Sequence, residues 1–180
     1  MRGNLKRSSG SSPLRRILIY GGLVLFLGCA QCAFFPLLSV CPATPDLMLG
    51  LILAVALLDS DRSAAVVAVS SGVFIDAVGG AGLSLSPVIY LIFVMLIGTF
   101  SRKVLKSFAS YLLLLLPSLL YRALATYICL ALADRALPAL WVIGEVLLPE
   151  ALTTGLLCLP IYIIVKLFSG LLENHSRFSF

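Results

Sequence analysis

Charge is scarce in this chain. Of 180 residues, 13 are Lys or Arg and 8 are Asp or Glu, 12% in all, against about 25% in soluble domains. Apolar residues make up 61%, and mean hydropathy is +1.11. So few charges cannot cover a globule in water, which excludes an ordinary soluble domain. Histidine is scarcer still. The single His175 stands among Glu173, Asn174 and Arg177, with no companion for a metal or a triad, and reads as a solvated tail residue. The glycine turn at 79–82 lacks the Lys and following Ser/Thr of a phosphate-cradling loop. Serines are numerous but none is paired with a base, and a lone embedded Asp cannot supply the carboxylate pair of an intramembrane protease. The expectation is a non-enzymatic protein without cofactor or metal.

The five cysteines are Cys29, Cys32, Cys41, Cys129 and Cys158. Cys29 and Cys32 form a C-x-x-C with no second pair and no nearby His, so they read as small hydrophobes rather than a redox or zinc motif. The net charge of +5 would suggest nucleic acid only if it formed a basic stripe interleaved with aromatics. It does not; the positive charges cluster in short stretches between apolar runs. No nucleic-acid partner is expected.

Six apolar segments are present, at 17–35, 45–58, 64–78, 87–100, 108–133 and 151–168. They predict an all-α membrane protein, a six-helix transmembrane bundle over 17–168. A basic, disordered arm over 1–16 precedes it, able to lie on anionic lipid, and a tail over 169–180 follows it. The arm and the first run have the outline of a signal peptide. That run continues to Phe35 and more spans follow, so it reads as an uncleaved first span. Only the first and fifth segments comfortably reach the roughly 20 residues that a bilayer asks for. The second to fourth are about 21–23 Å long as helices, so five spans with one re-entrant segment is the alternative to six.

Basic residues decide the orientation. With the N-terminus inside, Arg2, Lys6, Arg7, Arg15, Arg16, Arg62, Arg102, Lys103, Lys106, Lys166 and Arg177 are cytoplasmic, and the outer connections hold Arg135 alone. That asymmetry predicts both termini in the cytoplasm. Thr44, Pro45 and Asp46 supply a cap, a first-turn Pro and a carboxylate for the second helix. Residues 59–62 form a polar turn into the third, and Gly79, Gly80 and Gly82 end it. Trp141, in the apolar stretch 137–148, is expected along the outer interface.

Two ionisable side chains fall well inside apolar segments, Asp76 and Arg122, and an intramembrane charge is a functional candidate by default. Asp76 lies about 18 Å along the third helix and Arg122 about 21 Å along the fifth, in the same direction. They are a candidate ion pair. The alternative has Asp76 bonding the amides of the glycine turn while Arg122 snorkels outward. Ala64, Ala68, Gly72 and Asp76 share one helix face, which suits a close helix–helix contact, internal or with a partner. Glu145 and Glu150 form either an acidic outer lip or a solvated helix end.

The succession Pro45-Asp46-Leu47, an apolar helix, a polar turn, Gly72-Val73-Phe74-Ile75-Asp76 and then Gly79-Gly80-Ala81-Gly82-Leu83-Ser84 resembles the MreD family. MreD is the small inner-membrane subunit of the bacterial rod-shape machinery. Chain length, the basic N-terminal arm and Pro160 in the last helix are similar as well. The resemblance implies a multi-pass scaffold of the cell-wall elongation complex that binds MreC, a bitopic protein. The wider complex contains MreB, a polymerising glycosyltransferase and a class B penicillin-binding protein. It also implies a six-helix fold like the substrate-binding (S-component) subunits of energy-coupling-factor vitamin transporters. Such a subunit is the alternative function. Pro45, Asp46, Ala68, Gly72, Asp76, Gly79, Gly80, Gly82 and Arg122 are the candidate structural or partner-docking positions.

Overall fold

The computed structural model describes residues 13–34, 45–79, 85–101, 107–134 and 143–174. Among them every element is a helix: α1 (Pro13–Cys29), α2 (Leu47–Leu58), α3 (Asp61–Gly79), α4 (Ser86–Ser101), α5 (Phe108–Asp134) and α6 (Leu148–Asn174). A π-helical turn, Ala30–Phe34, extends α1, and another, Ile143–Leu147, leads into α6. The six helices fall on the six apolar segments. The α1 helix opens four residues earlier than its segment, at Pro13, where a missing N–H costs nothing. The α6 helix runs on to Asn174, past the end of its segment.

The organising element is α2. Its sequence, LMLGLILAVALL, has no polar side chain, and a helix apolar all round must be enclosed. Eleven of its twelve residues are buried, and it packs against all five other helices. At Gly50 an added Cβ would lie 2.6 Å from Cys158 Sγ and 3.3 Å from Cys158 Cα, so α2 and α6 cross nearly backbone to backbone. The α3 helix pairs most extensively with α4. There, a Cβ on Gly72 would come within 2.4 Å of the Pro87 backbone. Ala64 and Ala68 are fully buried on the same seam, so this small-residue face is an internal contact.

Successive helices alternate in direction. Arg16 near the start of α1 touches Asp59 at the end of α2, while Gln31 beyond α1 touches Leu47 at the start of α2. Gly72 late in α3 meets the start of α4, and Gly98 late in α4 faces Asp61 at the start of α3.

The exterior is apolar. Leu25, Phe26, Leu113, Leu116, Leu156 and Leu167 are all more than half exposed, an arrangement that water disfavours and lipid suits. Three stretches, Arg15–Ala33, Phe108–Leu132 and Ile143–Gly170, are long and apolar enough to cross a membrane. Leu47–Leu58 and Ser86–Phe100 are shorter apolar helices.

Candidate functional site

The start of α2 collects the polar groups of the bundle. A helix N-terminus leaves its first N–H groups without intrahelical partners, and inside an apolar bundle each must find one. Asp46 is the cap: its backbone is extended (φ −96°, ψ 90°) and its Oδ1 accepts from Leu49 N–H at 3.2 Å. The Asp46 N–H donates to Thr154 Oγ1 of α6 at 3.0 Å, and the Leu47 N–H donates to Gln31 Oε1 at 3.0 Å. The cap thus falls on Asp46, not on Thr44 as the sequence suggested. Pro45 precedes it, buried, outside the helix. One carboxylate can both cap the helix and carry charge to its neighbours; a Thr hydroxyl could only cap.

Asp46 uses its other oxygen for that second task. Oδ2 accepts from Tyr90 Oη of α4 at 2.8 Å and lies 3.0 Å from Arg122 Nε of α5. Arg122 Nε is also 3.4 Å from Glu150 Oε1 at the start of α6. The Nε–H is aimed squarely at neither oxygen, so these contacts are coulombic rather than aligned hydrogen bonds. Asp46 is fully buried and Glu150 nearly so, while the Arg122 side chain is one-quarter exposed. Two carboxylates therefore face one guanidinium in a low-dielectric interior, where charges hold each other far more strongly than in water. Five elements meet here: the π turn after α1, and α2, α4, α5 and α6.

This overturns the expected Asp76–Arg122 pair and also its alternative of a snorkelling Arg122. The α5 helix packs on α6, α2 and α4, so similar depth along α3 and α5 does not bring their side chains together. Both oxygens of Asp76 are buried and have no hydrogen-bond partner among the described residues. Glu150 is likewise no solvated helix end; it belongs to the cluster. Gly79 is the last residue of α3. Gly80 and Gly82, like Trp141, lie outside the described residues. Nothing in the sequence singled out Tyr90 or Gln31. The signal for Glu150 was present but unread: it begins α6 as Asp46 begins α2, two carboxylates at helix starts with one embedded guanidinium to share.

The opposite end of α2 carries a smaller counterpart. Asp59 caps its C-terminus, where a carboxylate opposes the helix dipole. Arg16 Nη1 offsets this at 3.0 Å from Asp59 Oδ1, and Tyr20 Oη donates to Asp59 Oδ2 at 3.1 Å. An Asp–Arg pair thus brackets the buried helix at each end.

Chemically, the Asp46 cluster is a clasp. The space beside Arg122, Glu150 and Thr154 has, among the described residues, essentially no room for a water-sized guest, about 0 Å³. Among the described residues no three of His, Cys, Asp and Glu gather as metal ligands. No family model, curated protein or solved structure matches the chain.

Proposed function

We propose that all six helices cross the bacterial inner membrane with both termini cytoplasmic, and that the chain is a non-enzymatic scaffold. On this reading it is an MreD-type subunit of the rod-shape complex that holds an MreC-like bitopic partner and helps position peptidoglycan synthesis. One observation carries the reading. The embedded charges of Asp46, Arg122 and Glu150 close on one another around a buried helix start, and among the described residues the space beside Arg122, Glu150 and Thr154 holds no water-sized guest. Charges that would serve a transported or reacting molecule face an open site; these hold helices together. The apolar exterior and the eleven-to-one distribution of basic residues support the six-span topology.

The test is capture from membranes. The chain, tagged at one end and co-expressed with an MreC-like bitopic protein, should co-purify with it in mild detergent. Recovery of the chain without that partner, together with saturable binding of a vitamin, would replace this reading with the transporter-subunit alternative.

A further inference from the structure

We draw no further inference here: the strongest candidate, the open apolar trough of about 370 Å³ between α4 and α5 lined by Phe93, Ile97, Leu114 and Pro117, is an unpartnered helix face, and nothing in the structure shows what covers it.

Discussion

Removing the Asp46 carboxylate should be the most damaging single change at the start of α2. Asp46→Ala deletes the cap, costing about 1 kcal/mol. It also strips the nearest charge from Arg122. Breaking a buried ion pair from one side costs about 3–5 kcal/mol. Glu150 remains 3.4 Å from Arg122 Nε, and the Arg122 side chain keeps one-quarter exposure, so the lower figure applies. The sum is about 4 kcal/mol, or a fall in melting temperature of roughly 8–16 °C for a chain of this size. Asp46→Asn preserves one oxygen, enough for the cap or for Tyr90 but not for both, and should lose less than Asp46→Ala. Arg122→Leu leaves Asp46 and Glu150 as uncompensated like charges and should also destabilise. The assay is thermal unfolding in detergent of the wild type, Asp46→Ala, Asp46→Asn, Arg122→Leu and the Asp46→Ala/Arg122→Leu double variant. Residues in direct contact couple by about 0.5–3 kcal/mol, so the double variant should melt above the sum of the single effects. Additive losses, or an Asp46→Ala protein that melts with the wild type, would refute the clasp.

Other changes separate the clasp from its surroundings. Asp76→Asn should not destabilise, because its buried oxygens have no partner among the described residues and an unpaired buried charge is itself costly; a loss above about 1 kcal/mol in the same melting assay would restore Asp76 to the polar network. Gly72→Leu should abolish folded, monodisperse material on size exclusion, since its side chain would enter the Pro87 backbone, which cannot retreat as a side chain can. Asp59→Asn should cost only about 0–1 kcal/mol, as its partner Arg16 is 36% exposed; a loss as large as that of Asp46→Ala would make the two ends of α2 equivalent. A periplasm-active reporter fused after Phe180 should stay silent, and activity there would exclude a cytoplasmic C-terminus.

Helix positions were legible because each apolar run ends on a feature that a helix in lipid cannot absorb. Asp59 to Arg62 closes the second and opens the third. Gly79 ends the third, and Ser101 closes the fourth. The enclosure of α2 was also implicit, in a twelve-residue helix with no polar side chain. Lateral arrangement was not legible. Counting residues along α3 and α5 gives the depth of Asp76 and Arg122 but not the direction each faces. That direction depends on which helices are neighbours, and α5 turned out to sit against α2 and α6. Gly72 was identified through its four-residue spacing from Ala64 and Ala68, whereas Gly50 lies alone among large side chains and its contact with Cys158 left no pattern in the sequence. The two π turns escaped for a similar reason: Gln31 reaches Leu47 through a local widening of the helix that no residue spacing announces.

Whether the bundle holds a protein or a small molecule is settled most directly by thermal unfolding of the purified chain in two parallel titrations. One receives the transmembrane segment of an MreC-like protein, the other a panel of vitamins. A scaffold requires the melting temperature to rise with the segment, saturably, and to stay fixed with every vitamin. A saturable rise with one vitamin and none with the segment would contradict it.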